Sequence, residues 1–198
     1  MNDEASKNPI VNQKDPNSIK ELIKFTLYAL IIILPIRYYI AKPFLVQGAS
    51  MDPTYEDGQY LMVDQLSYRL HEPRRGDVIV FRYPNDKNKY YIKRIIGLPG
   101  ETVSLDKGKV TVTNASHPKG FTLEETYLVN FSYDTTLPDT LASDEYFVMG
   151  DNRGASADSR AWGNLNRSFI VGRPALRLYP FTKLGIYPGQ AQDELLTQ

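Results

Sequence analysis

The sequence predicts a mainly β, antiparallel domain behind one N-terminal apolar segment. Short runs rich in valine, isoleucine, tyrosine and phenylalanine recur from residue 60 onward, each bounded by glycine, proline, asparagine or aspartate. No long stretch after residue 42 shows helical periodicity. The one long apolar run, Phe25 to Ala41, precedes them all. A chain of 198 residues has room for one soluble domain with a smaller subdomain once that run is set aside.

Residues 1–18 are polar, broken by Pro9 and Pro16, and read as a disordered tail. Ser18-Ile19-Lys20-Glu21 fits a capping box, so a helix is expected to start there. The apolar run that follows holds 17 residues. At roughly 1.5 Å each they span about 26 Å, enough for a bilayer core. Residues 19–42 are therefore expected to form a single transmembrane anchor. Arg37 lies near the far end, where its stem reaches the interface, and Tyr38 and Tyr39 stand beside it as an aromatic belt. Lys7, Lys14, Lys20 and Lys24 precede the span, against Arg37 and Lys42 at its end. This bias places the N-terminus in the cytoplasm and the rest of the chain on the far side of the membrane. A cleaved secretory signal is a competing reading, but the polar leader is long and no small-x-small site follows the apolar core. A buried helix of a soluble protein is another, suggested by Arg37 and the short core.

The expected strands are Tyr60 to Val63, Asp77 to Tyr83, Tyr90 to Ile96, Thr102 to Leu105, Val110 to Thr113 and Glu145 to Met149. Thr102 to Thr113 reads as a hairpin around Asp106-Lys107-Gly108. Asn114 to Asp144 is less patterned and reads as a subdomain or a long excursion from the sheet, and residues 188–198 read as a loose tail. A sandwich or an open barrel satisfies this pattern.

Composition excludes several functions. Lysine plus arginine equal aspartate plus glutamate, 23 each, so no global basic field points to nucleic acid. The absence of cysteine removes thiol catalysis, disulfides and thiolate metal sites. His71 and His117 are the only histidines, so a Ser-His-acid triad would have to use one of them.

Three stretches carry the chemistry. Gln47-Gly48-Ala49-Ser50-Met51-Asp52-Pro53-Thr54 places a serine in a bend close behind the apolar run, which taken alone also describes an ordinary surface turn. In Tyr90 to Gly100, alternation puts Tyr91, Lys93 and Ile95 on one strand face and Ile92, Arg94 and Ile96 on the other. Each face carries one cation, so periodicity leaves open which is buried. A lysine held in an apolar pocket loses its proton readily and can accept one from a serine, whereas arginine stays charged. The third stretch, Met149 to Gly163, is a polar loop after a strand. An EF-hand register fails there, because Arg153 falls where an oxygen ligand is needed. A plain turn with Asp158 and Arg160 as a surface pair remains open, and Ser156 is a candidate to orient a base.

Together these stretches resemble one family. G-x-S-M-x-P-T around Ser50, R-G-D-V-I-V-F at Arg75 to Phe81, Y-I-K-R-I-I-G-L-P-G at Tyr91 to Gly100 and G-D-N-R-x-x-S-x-D-S-R at Gly150 to Arg160 occur in this order behind an apolar segment. The pattern is similar to the type I signal peptidases, membrane-bound Ser-Lys proteases of the S26 family, and covers roughly Lys20 to Arg177. The resemblance implies that Ser50 is the nucleophile, Lys93 the general base, Ser156 a serine bonded to the lysine amine, and Asp158 and Arg160 a supporting ion pair. It implies pockets lined by Phe44, Val46, Met51, Leu61, Val80, Tyr91 and Ile92 that admit small residues in an Ala-x-Ala pattern. It also implies a β catalytic core over residues 43–96 and 145–187 and a smaller inserted β subdomain over residues 97–144. The partners it implies are signal peptides of secreted preproteins and the lipid bilayer of the cell membrane, with no metal, cofactor or nucleic acid.

Gly48 stands where some members carry a serine that donates to the oxyanion, Tyr55 where leucine is common, and Gly154-Ala155 where a polar pair is usual. Two other readings remain: a Ser-Lys autoprotease of the repressor type, and a membrane-anchored β domain that binds extended peptides without cutting them. The formal glycosylation sequons at Asn114, Asn130 and Asn166 are too short a pattern to carry weight.

Overall fold

The computed structural model describes residues 16–35, 41–128 and 136–189. The chain divides into an N-terminal unit, residues 1–38, and a β unit, residues 39–198.

In the first unit a helix, α1, runs from Pro16 to Pro35. It starts two residues before Ser18, with proline in the first turn where its missing N–H costs nothing. Ser18 is thus inside the helix rather than at its cap. Its apolar side chains, among them Phe25, Ile31 and Ile33, are exposed. Lys20, Glu21 and Lys24 interrupt the apolar surface, and no described helix is long and apolar enough to cross a membrane. The span expected at Phe25 to Ala41 lies partly outside the described residues, since 36–40 are not among them.

The β unit contains strands β1 (Ala41–Leu45), β2 (Tyr60–Asp64), β3 (Val78–Tyr83), β4 (Asp86–Gly97), β5 (Thr102–Asp106), β6 (Lys109–Thr113), β7 (Phe121–Thr122), β8 (Thr136–Thr140), β9 (Glu145–Met149), β10 (Leu165–Asn166), β11 (Ile170–Tyr179) and β12 (Gly185–Ile186). Only two four-residue α-helices interrupt it among the described residues, α2 (Ser67–Leu70) and α3 (Ser159–Trp162). All six expected strands are present. The larger sheet has the order β1-β2-β11-β3-β4-β9-β10, with β12 on β11, and every pairing in it is antiparallel. The smaller sheet has the order β7-β6-β5-β8 and lies within residues 102–140.

Strand β11 is the element that pattern reading passes over. It contains Pro174, which cannot donate to a ladder, yet it joins β2 to β3 in the interior of the sheet. The strand tolerates the proline because the pairing with β2 shifts register between Pro174 and Leu176. Gly172 lets it pass close to its neighbour: a Cβ there would lie 2.1 Å from the Asp64 carbonyl oxygen. At the other end, Tyr55 Oη donates to the Pro188 carbonyl and Arg94 Nη1 to that of Gly189, at 2.8 Å. The first two residues of the expected loose tail are therefore tied to the domain.

Strand β4 is covered on both faces along its C-terminal half. Ile95 packs with Tyr68, Ile79, Phe81 and Val148, whereas Ile96 packs with Val103, Leu105, Val110 and Val112. Lys93 and Arg94 follow the same alternation and are both buried, 3% and 1% exposed. The face question raised by the sequence therefore has two answers, and each cation needs its own solution.

Replacing Gly172 with alanine is expected to force β11 away from β2 and to lower stability by about 1–3 kcal/mol, the usual cost of overpacking, as read from the urea midpoint at unchanged slope.

Candidate active site

Ser50 sits in the bend that follows β1. The Asp52 amide donates to Ala49 O at 3.2 Å and the Tyr55 amide to Met51 O at 2.9 Å, closing two successive turns. Gly48 enters the bend at φ +88°, a backbone that favours glycine, and its amide donates to Asp57 Oδ1 at 2.7 Å. Met51 and Tyr55, 1% and 0% exposed, anchor the bend from below by packing with Val46, Leu61 and Val78.

Lys93 approaches from β4. Its Nζ lies 2.6 Å from Ser50 Oγ and donates to Ile92 O at 3.0 Å. The Tyr91 ring centroid is 5.5 Å away. No carboxylate among the described residues forms an ion pair with it. Burial pulls the Lys93 pKa down to about 8, against the more distant charges of Asp158 and Asp151, which favour the ammonium. When the amine is neutral, the same contact allows the serine hydroxyl to donate to nitrogen. Arg94, its neighbour, stays charged in a bidentate pair with Asp151, at 2.8 and 2.6 Å, and its guanidinium carbon lies 3.9 Å from the Tyr127 ring centroid.

The loop after β9 supplies the third side of the site. Gly150 is pressed against the serine bend, where a Cβ would lie 2.3 Å from Ser156 Oγ and 2.4 Å from Ser50 O. The Asn152 amide donates to Ser50 O at 3.1 Å, and Asn152 Nδ2 to Ala49 O at 3.0 Å. Ser156 Oγ is buried and makes no well-formed hydrogen bond among the described residues, although its hydroxyl stands close enough to the Asp158 carboxylate to favour the ionised form. Asp158 accepts from the Gly150 amide at 3.0 Å and pairs with Arg160 at 2.8 Å. Burial opposes its ionisation, but Arg160 and the Gly150 amide outweigh it and hold the carboxyl below its usual range. The pair is buried, 0% and 9% exposed at the side chains, so it is no surface decoration.

A cleft of about 210 Å³ opens beside Ser50 and Lys93. Of the residues expected to line pockets, Phe44, Val46, Leu61, Val80, Tyr91 and Ile92 border it, and Met51 lies beneath it in the core. Leu45, Gln47, Tyr90 and Ala157 border it as well and had no motif to mark them. Among the described residues two free strand edges flank it: β1 pairs only with β2, and β4 meets β9 only from Arg94 onward.

Sequence reading also missed a brace behind the loop. Glu125, after β7, forms a buried ion pair with Arg153, whose Nε donates to Gly150 O at 3.1 Å. Tyr127 Oη donates to Glu125 at 2.7 Å while its ring covers Arg94. The stretch Asn114 to Asp144 gave no periodic signal for either residue.

Comparison with known proteins points in one direction. The model of the family described as "Signal peptidase, peptidase S26" matches residues 19–179. A protein named signal peptidase I from Leptolyngbya laminosa is 36% identical over 186 residues, covering 89% of this chain and 88% of its own. Another of that name from Bacillus licheniformis is 33% identical over 174 residues, 85% and 92% of the two chains. A crystal structure of a signal peptidase I from Enterococcus faecalis V583 is 32% identical and covers 52% of this chain and 97% of its own, with a TM-score of 0.43.

The depressed lysine has a consequence for stability. Below about pH 8 Lys93 carries its charge in both the folded and the unfolded chain, and the folded state bears the desolvation cost. Between about 8 and 10.5 the unfolded chain binds more protons, so stability rises with pH. Lys93→Met is expected to be more stable than the wild type at pH 7, by up to ~3 kcal/mol, with the gap closing as the pH approaches 10.5. Denaturant unfolding of both proteins over that range checks it.

Proposed function

Since the chain belongs to the signal peptidase family of peptidase S26 and is a peptidase that removes signal peptides from preproteins, we propose that Ser50 is its nucleophile and Lys93 its general base. The observation that carries this reading is a buried lysine amine 2.6 Å from a serine hydroxyl, both bordering a cleft shared with Val46, Leu61, Val80 and Ile92. Lys93 would take the proton from Ser50 Oγ as it attacks the scissile carbonyl, then pass it to the leaving amine. Water would hydrolyse the resulting acyl-enzyme, with Lys93 again as base. The Ser50 amide, unengaged among the described residues, would face the oxyanion. The Gly48 amide is committed to Asp57 and unsuited to that task. Ser156 would accept the remaining N–H of Lys93 after a rotation of its hydroxyl, and the Asp158–Arg160 pair would hold the loop that carries it.

The substrate would bind as an added strand along the free edges beside the cleft, its residues before the cut lying between Phe44–Val46 and Tyr90–Lys93. The small cleft favours alanine at the first and third positions before the bond. Residues 43–96 and 145–187 would form the catalytic core, and residues 97–144 an insertion that braces it through Glu125 and Tyr127. The exposed apolar surface of α1, with the lysines before and within it, supports a single membrane anchor with a cytoplasmic N-terminus and a catalytic domain on the extracytoplasmic side. The family match leaves the repressor-type and non-catalytic readings without support.

Cleavage of a secretory precursor in detergent tests the dyad. Ser50→Ala and Lys93→Ala are expected to lose roughly 10⁴-fold or more in kcat while remaining folded. Wild-type kcat/KM should rise with pH through about 8, because only the neutral amine is a base. Normal cleavage by folded Lys93→Ala would remove the lysine from the mechanism. Ser156→Ala is expected to lose roughly tenfold in kcat with little change in KM, the cost of one orienting hydrogen bond.

A further inference from the structure

The cleft does not end at its apolar walls. Lys42 lies two residues before Phe44 on β1, and its Nζ rests over the Phe44 ring at 5.6 Å and the Tyr90 ring at 5.2 Å. Those two rings meet edge to face at 5.2 Å, bridging β1 and β4 at the cleft's far end. Lys42 is exposed and forms no ion pair among the described residues, so a ring-held cation stands over two of the residues that border the cleft.

From this geometry we propose that Lys42 is a specificity-determining residue that reads the fifth substrate residue before the cut and favours an acidic side chain there. The inference rests on the preceding assignment of the cleft as the substrate groove. Ser50 follows the C-terminal end of β1, so a substrate whose residues before the bond fill the cleft runs in the same direction as β1. Lys42, Phe44 and Val46 are spaced two residues apart, and alternate residues of an extended strand share a face about 6.6–6.8 Å apart. The substrate's alternate side chains have the same spacing. With the first residue before the cut abreast of Val46, the third falls abreast of Phe44 and the fifth abreast of Lys42. A carboxylate at that position would meet an ammonium already oriented by two rings, and a lysine or arginine would meet a like charge.

The test uses three Ala-x-Ala peptides that differ only in the fifth residue before the bond, bearing Glu, Gln or Lys, with the full-length enzyme in neutral detergent. The wild type is expected to cut the Glu peptide roughly three- to tenfold faster than the Lys peptide in kcat/KM, with Gln between them. The ratio should shrink toward one in 1 M salt. Lys42→Glu should reverse the order, and Lys42→Met should level it. If Lys42→Glu keeps the wild-type order while all three peptides are still cut, the specificity assignment falls and the peptidase mechanism stands. If the wild type cuts none of them, the groove assignment itself is overturned. A charge effect that appears only with vesicles containing phosphatidylglycerol, and not in detergent, would assign Lys42 to lipid phosphate and overturn the proposal.

Discussion

The burial of two adjacent cations on one strand is the constraint around which the site is arranged. A charged group taken out of water is tolerated only if it is paired or gives up its charge. Arg94 cannot give up its charge, and the fold surrounds it with both oxygens of Asp151, two backbone carbonyls and an aromatic ring. Lys93 can, and it is given no carboxylate in contact. The acids nearest in charge are already committed, Asp151 to Arg94 and Asp158 to Arg160. Satisfying the arginines thus leaves the lysine able to be neutral. The ion pairs behind the site act through what they withhold from Lys93 as much as through what they hold in place.

Close packing then fixes the loop beside the amine. Gly150 is the contact between the loop after β9 and the serine bend, with no room for a methyl group. Its amide is held by Asp158 and its carbonyl by Arg153, which is in turn gripped by Glu125. Serine bend, lysine strand and loop come from distant parts of the chain, and their alignment to within a hydrogen-bond length depends on the buried polar contacts of Gly150, Asp158, Arg153 and Glu125.

The legible parts of the chain were those with local period or local chemistry. Strands β2, β3, β5, β6 and β9 announced themselves by composition and bounding turns. Ser50, Lys93, Ser156, Asp158 and Arg160 were legible as members of motifs; Ser50 and Lys93 border one cleft, while Ser156, Asp158 and Arg160 belong to the segment after β9 that packs against the serine bend. Strand β11 was illegible because Pro174 argues against an interior strand, and only the register shift beside it, a tertiary fact, makes it compatible. β1 was hidden by its place at the end of the apolar run and by Pro43. The faces of β4 could not be ranked because both are covered. Glu125 and Tyr127 lie in a stretch without periodicity, and their partners are 28 and 33 positions away in the chain.

The order of strands in the larger sheet has a temporal consequence. The half that carries the serine, β1-β2, and the half that carries the lysine, β3-β4, are not neighbours; β11 lies between them. That strand is the last long one among the described residues, ending at Tyr179. A growing polypeptide therefore holds Ser50 and Lys93 well before it holds the piece that joins their supports. Closing the sheet requires a segment far separated in sequence from both halves, a pairing of high contact order.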